Sequence, residues 1–343
     1  MFKNFLKTTF RNLWKNKSYV AINLVGLSLS LACCIVGYLN FQYAETFDQN
    51  HENLDRIYKI QVQKDVQGRK VPFGISPLPL GNEIAAQRAE IAKTARYTEM
   101  YPVIKKENVI FNEQVGFADP DYFSIFTFPF KYGSPERFLD PTNIILSSET
   151  AEKYFGTGDP SGEILTLIDD EGKPYSFQVG GVLEKIPQNT TMRFDAITLF
   201  ENYLKLNNLK NQNWTSFVAS TWIMTNNDTY PGEVESWLND AYIEVQNNAR
   251  DNWKVGSYYL EPFAEFSKNA ENLRSQWLEE PPPKPAVIVP FIMAILMLLI
   301  ACFNFTNTSI AISSKRLKEI GLRKVMGGNK RQLIVQFMGE NIL

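Results

Sequence analysis

The chain has 343 residues, enough for about two ordinary domains, with 35 basic and 37 acidic side chains and a formal charge of −2. Its three cysteines, Cys33, Cys34 and Cys302, all sit in uncharged apolar runs, which excludes disulfides and zinc-thiolate sites from the rest. Residues 1–17 and 314–343 each carry a net +5, so the stretch between them must carry −12, which argues against a nucleic-acid surface.

Residues 1–17 place Phe2, Phe5, Leu6, Phe10 and Leu13 on one helical face and Lys3, Lys7, Arg11 and Lys15 on another. That is the pattern of a cytoplasmic amphipathic helix lying in the membrane interface. A signal-peptide n-region shares the charge but not the long amphipathic pattern. Residues 18–42 are 25 residues without a charge, about 37 Å as a helix, so they are predicted to form transmembrane helix 1. No A-x-A cleavage site follows, and Ser30-Leu31-Ala32-Cys33 is a poor lipobox. Gly26, Ser30, Cys33 and Gly37 share a face on which a second helix could approach closely, although small residues are common in membrane helices by chance.

Residues 43–284 read as an extracytoplasmic α+β domain. A polar connector leads into a strand at 56–62, and Pro72, Pro77 and Pro79 mark a loop. A helix is predicted over 80–92, strands over 94–105 and 108–117, and a short helix over 119–126 with Pro120 in its first turn. A strand at 143–146 precedes a helix capped by Ser147 or Ser148 and stopped by Gly156. A hairpin over 163–169 and 175–185 turns at Asp170-Glu171-Gly172. The helix over 233–252 puts Val234, Trp237, Leu238, Ala241, Val245 and Ala249 on one side, and a last strand covers 258–261. Pro281-Pro282-Pro283-Lys284-Pro285 is a stiff extended spacer.

Residues 285–313 form the second uncharged apolar run, predicted to be transmembrane helix 2. Its later half carries Asn304, Thr306, Asn307, Thr308 and Ser309, which need partners in hydrocarbon. Packing against other helices is favoured over a substrate or ion path because none of them ionises. Residues 314–343 hold seven bases and two acids, with Glu319 and Arg323 at the helix-supporting i, i+4 spacing. Gly327-Gly328 stops this basic helix, and Asn329 with Gln332 opens another. Basic ends around an acidic middle place both ends in the cytoplasm and the middle outside.

Enzyme chemistry is missing. No P-loop and no G-x-S-x-G string occurs. His51, the one histidine, is expected to be solvated or to cap a backbone group. Asp119 and Asp121, like Asp169-Asp170-Glu171-Gly172, read as turn chemistry.

The string Arg316, Glu319, Ile320, Gly321, Arg323, Lys324, Gly327, followed by Gln336, Phe337 and Glu340, resembles the cytoplasmic motif of MacB/FtsX-type ABC transporter permeases. Gly328 stands where that family more often has alanine. Upstream, IACFNFTN (300–307) resembles the family's second membrane helix. FADPDYFSIFTFPF (117–130), LSSETAEKYFGTGDPSGEIL (146–165) and VGGVLEKIPQNTTMRFD (179–195) resemble its periplasmic core domain. The resemblance covers nearly the whole chain. It implies a porter-like subdomain with an inserted one, between two transmembrane helices, in the bacterial inner membrane. It further implies a non-catalytic permease subunit that itself holds no cofactor, with ATP and magnesium bound by a partner cytoplasmic ATPase. Arg316, Glu319, Ile320, Gly321, Arg323, Lys324 and Gly327 would be the coupling element, and Gly26, Ser30, Cys33, Gly37, Asn304 and Asn307 would serve membrane-helix packing. A homodimer or a pairing with a second permease half is implied, with room for a periplasmic adaptor and none for nucleic acid. Permeases of this type continue with further membrane helices, so the sequence is expected to be the front of a longer protein or a truncated product. A two-pass membrane sensor or scaffold that binds an envelope ligand without transport is the alternative.

Overall fold

A computed structural model describes residues 14, 17–85, 87–226, 230–251, 253–315, 321, 322, 325 and 327. They divide into two units, one formed by both flanks (Met1–Glu45 with Pro282–Leu343) and one by Thr46–Pro281. Of the interfacial helix predicted over 1–17, only Trp14 and Lys17 are described, both helical and exposed; the rest lies outside the described residues.

Helix α1 (Lys17–Glu45) contains the first predicted span. After it come β1 (Ile57–Val66), β2 (Arg69–Phe73), β3 (Ser76–Pro77) and α2 (Leu80–Ile84). Strands β4 (Ile91–Met100), β5 (Val103–Lys106), β6 (Val109–Asn112) and β7 (Val115–Ala118) lead to α3 (Tyr122–Ile125) and β8 (Phe130–Gly133). Next are β9 (Asn143–Leu146), α4 (Ser148–Phe155), β10 (Ile164–Ile168), β11 (Pro174–Leu183), β12 (Ala196–Leu199) and α5 (Phe200–Leu206). The chain closes with β13 (Phe217–Val218), β14 (Ser220–Thr225), α6 (Pro231–Ala249), β15 (Ser257–Pro262), α7 (Phe263–Asn269) and α8 (Lys284–Lys315). Both α1 and α8 are long and apolar enough to cross a membrane, and the domain between them is α+β.

One hairpin organises the middle unit. Tyr97 faces Ala118 and Met100 faces Val115, while Val103 faces Asn112 and Lys106 faces Val109, so β4–β5 and β6–β7 are two arms in one register. Between the halves the Glu113 N–H donates to the Pro102 carbonyl, which keeps the ladder going past a residue that cannot donate. The sheet runs β15-β1-β14-β4-β7-β12-β9-β11-β10-β5-β6. It leaves the hairpin at β7 and returns to it at β5, closing on itself around Ile104, Phe117, Leu146, Leu165, Phe177 and Val179. A second cluster, with Ile60, Val62, Leu80, Ile223, Leu238 and Tyr258, lies under α6. A third is aromatic, built on Tyr97, Tyr122, Phe126, Phe194, Trp222 and Phe263.

Several elements match the sequence reading. β9 is as predicted, and Ser147 caps α4 by accepting the Thr150 N–H. Gly156, at φ +74, ends it. Others are corrected. The helix predicted over 80–92 stops at Ile84, because residues from Ile91 onward are claimed by pairing with β14 and β7. The two long strands predicted next are four, broken at Tyr101-Pro102 and Glu113-Gln114. Pro72 and Pro77 lie in short strands with one ladder partner each, where a missing N–H is tolerated. Helix α3 begins at Tyr122, so Pro120 precedes it. On α6 the buried set is Val234, Leu238, Tyr242 and Gln246, with Val245 exposed. Helix α8 starts at Lys284, inside the predicted proline spacer, since a proline in the first turn gives up no hydrogen bond.

Candidate functional site

In the flanking unit, α1 and α8 run antiparallel and touch along one seam. Ser30 is buried, and its hydroxyl lies 2.7 Å from the Gly26 carbonyl and 3.1 Å from that of Met297. A Cβ at Gly37 would sit 3.4 Å from the Phe291 Cα and 3.7 Å from the Ala294 Cβ, so the missing side chain sets the approach. The Cys34 thiol reaches the Ala294 carbonyl at 3.6 Å, the Asn40 amide donates to the Ala286 carbonyl at 3.2 Å, and the Phe41 and Phe291 rings lie 6.1 Å apart.

Of the predicted packing residues, Ser30 and Gly37 are brought to the seam. Cys33 is half-buried, and its neighbour Cys34 makes the cross-helix contact instead. Nothing lies within 4 Å of a Cβ built at Gly26. Asn304 and Asn307 are exposed on α8. The nearby hydroxyls of Thr306 and Thr308 turn back onto their own helix, at the carbonyls of Cys302 and Asn304. Asn40 was not singled out from sequence, although Pro290 four residues after Ala286 was a readable signal that a carbonyl there lacks its donor.

Among the predicted coupling residues, Gly321 is helical with open space around it, and Gly327 takes φ +89 in a turn. Arg316, Glu319, Ile320, Arg323 and Lys324 lie outside the described residues.

In the middle unit, the polar groups nearest the flanks in sequence are buried and clasped. The turn after α1 holds Asp48 at φ +61. Its carboxylate accepts from the Thr191 N–H (2.6 Å) and hydroxyl (2.5 Å) and from the Thr190 hydroxyl (2.9 Å), while Asn189 holds Thr46. Burial outweighs these donors and pushes the Asp48 carboxyl up to about 6. His51 is not solvated, as one sequence alternative had it: it is 4% exposed between Phe126, Phe128 and Phe263. Its Nδ1 accepts the Thr127 N–H, which is the capping alternative, and burial lowers its pKa to about 4. Before α8, Gln276 accepts through Oε1 from Lys59 Nζ at 2.9 Å. Lys59 is fully buried beneath Phe266, 4.5 Å from the ring centroid, and burial holds its pKa well below the usual lysine range.

Asp119 opens its turn through its carbonyl, which accepts the Tyr122 N–H at 3.0 Å, but its side chain is engaged elsewhere. It takes Arg96 Nε and Nη2 at 2.8 Å each, with the guanidinium 4.0 Å from the centroid of Phe200. Asp169 does serve its turn, accepting the N–H groups of Glu171 and Lys173. Among the described residues no group of histidine, cysteine, aspartate or glutamate is placed to hold a metal ion. A cleft of about 570 Å³ at the hairpin tip is lined by Lys105, Lys106, Glu107, Glu163 and Thr166, a mixed-charge lining without a dominant sign.

The MacB-like periplasmic core domain family matches residues 20–241, and the FtsX-like permease C-terminal family matches residues 291–343. The chain is 22% identical over 202 residues to the macrolide export ATP-binding/permease protein MacB of Psychrobacter cryohalolentis, covering 59% of this chain and 27% of that protein. It thus spans a little over a quarter of the length of that relative. A domain of a Porphyromonas gingivalis protein described as a permease superposes with a TM-score of 0.50 at 17% identity, over 70% of this chain and 98% of that one. The periplasmic region of MacB from Actinobacillus actinomycetemcomitans gives 0.46 at 12% identity, over 65% and 96%.

Proposed function

The chain belongs to the MacB/FtsX-like family of ABC transporter permeases, and from that premise we propose that it is the membrane subunit that couples a separate ATPase to movement of an extracytoplasmic domain. The observation that carries this reading is the order of the two family matches. A periplasmic core domain is followed by an FtsX-like segment, with an apolar helix at the head of each match. Both ends would lie in the cytoplasm and residues 46–281 outside, as the basic flanks favour. The ATPase would bind ATP and magnesium and dock on the stretch from Arg316 to Gly327. Glu319, Arg323 and Lys324 would set its orientation by charge, and Gly321 and Gly327 would allow close approach and the turn. Two copies, or this chain and a second permease half, would form the working unit, with a periplasmic adaptor as a further partner. Efflux, handling of peptides or lipoproteins, or mechanical signalling would each draw on this coupling step.

The test is ATP turnover by the cognate ATPase reconstituted with the full-length permease, comparing wild type with Glu319→Ala and Arg323→Ala. Reduced stimulation of turnover, with the complex still assembled, is the expected outcome. Unchanged turnover in both variants would remove the coupling role from this stretch.

A further inference from the structure

Pro290 lies in the second turn of α8. In an unbroken helix the N–H of residue 290 would donate to the carbonyl of Ala286. Proline has no N–H, and its ring crowds that carbonyl, so the Ala286 oxygen lacks its ordinary i+4 donor. The oxygen is nevertheless paired: Asn40 Nδ2, on α1, donates to it at 3.2 Å. Two further cross-helix bonds among the described residues differ. They reach the carbonyls of Met297 and Ala294, which have ordinary backbone donors at Ala301 and Leu298 four residues on. Ser30 is shared with its own helix at Gly26, and Cys34 offers a weak thiol donor. Around Asn40 the seam is built for close approach, with Gly37 against Phe291 and Phe41 beside the Phe291 ring.

We propose that Pro290 is a hinge in α8 and that Asn40 is its positioning residue, the amide standing in for the missing N–H and fixing the angle between residues 284–289 and the remainder of the helix. Release of the Ala286 carbonyl frees the outer segment to swing, and the chain of the extracytoplasmic domain joins α8 at that segment. The latch stands on geometry alone; its use in coupling rests on the permease reading above.

The experiment measures the distance between nitroxide labels at Ile288→Cys and Phe303→Cys, exposed positions on either side of Pro290. It uses the full chain in lipid nanodiscs, with the three native cysteines replaced by serine or alanine. The parent should give one narrow distance. Asn40→Ala should broaden or shift it, and Asn40→Ala/Pro290→Ala should restore a narrow distribution, because an alanine in place of the proline supplies the N–H that Asn40 replaced. A side chain that only fills space would not be rescued by a change on the other helix. An unchanged distribution in Asn40→Ala, or one that Pro290→Ala does not narrow, overturns the latch. Should Asn40→Ala fail to accumulate, accumulation of the double variant supports the proposal and its failure overturns it. No ATPase takes part in this readout, so loss of the latch and loss of the permease reading are seen separately.

Discussion

Asp48 and His51 sit three residues apart in the turn after α1, and burial shifts them in opposite directions. For Asp48 the folded pKa, about 6, lies above the unfolded value, so its contribution to stability is complete below about pH 4 and is lost as pH rises through 6. For His51 the folded pKa, about 4, lies below the unfolded value of 6.5, so its contribution is present above pH 6.5 and is lost as pH falls toward 4. Each is worth roughly 3 kcal/mol from the size of the shift. Between pH 4 and 6.5 the two slopes oppose each other. Asp48→Asn keeps the shape and removes one slope. It should be more stable than wild type at pH 7.5, with the gain fading by pH 4. His51→Gln should change in the opposite sense, gaining on wild type as the pH falls. Thermal unfolding at pH 4.5, 5.5 and 7.5 measures both, and parallel curves for all three proteins would contradict the assignment. The capping by His51 was one of the alternatives the sequence offered, but the burial of the two groups was not legible there: a lone histidine in a polar string gives no sign of the phenylalanines that the fold wraps around it.

At the scale of elements, the β4–β7 hairpin is fixed at its base by Arg96 and Asp119, which stand opposite each other in the register the rest of the hairpin follows. The Arg96 N–H and guanidinium both donate to the Asp119 carboxylate, and Nη1 also reaches the carbonyl of Leu78 and the Asn211 side chain. A buried pair broken on one side leaves an uncompensated charge, which costs about 3–5 kcal/mol. Asp119→Ala should therefore lose roughly that much in urea unfolding. Arg96→Met/Asp119→Leu should lose clearly less than the sum of the two single losses. An additive double variant would show that the pair is not what holds the hairpin base. Both strands of this hairpin were visible as β-rich runs, but their breaks were not. The arms break at Tyr101-Pro102 and Glu113-Gln114, and beyond the breaks β5 pairs with β10.

For the molecule as a whole, the middle unit must be held by ordinary packing, since all cysteines lie in the helices outside it. A fragment of residues 46–281 should unfold cooperatively, at a midpoint that does not change with added dithiothreitol. A non-cooperative melt would show that the unit needs its flanking helices to fold. The sequence by itself determined the two long apolar helices, the α+β class and the absence of a disulfide framework. These follow from composition, from uncharged runs of helical length and from local periodicity, which need no knowledge of what lies across the fold. It also carried the family motifs, because those are strings. The tertiary structure alone decided which polar groups are paired and which cysteine meets the other helix. It decided as well that Asn40 answers Pro290 and that the sheet closes on its own hairpin. Each of these depends on residues far apart in the chain being brought within a few ångströms, and the energy of a buried polar contact is set by that neighbour rather than by the residue's own type.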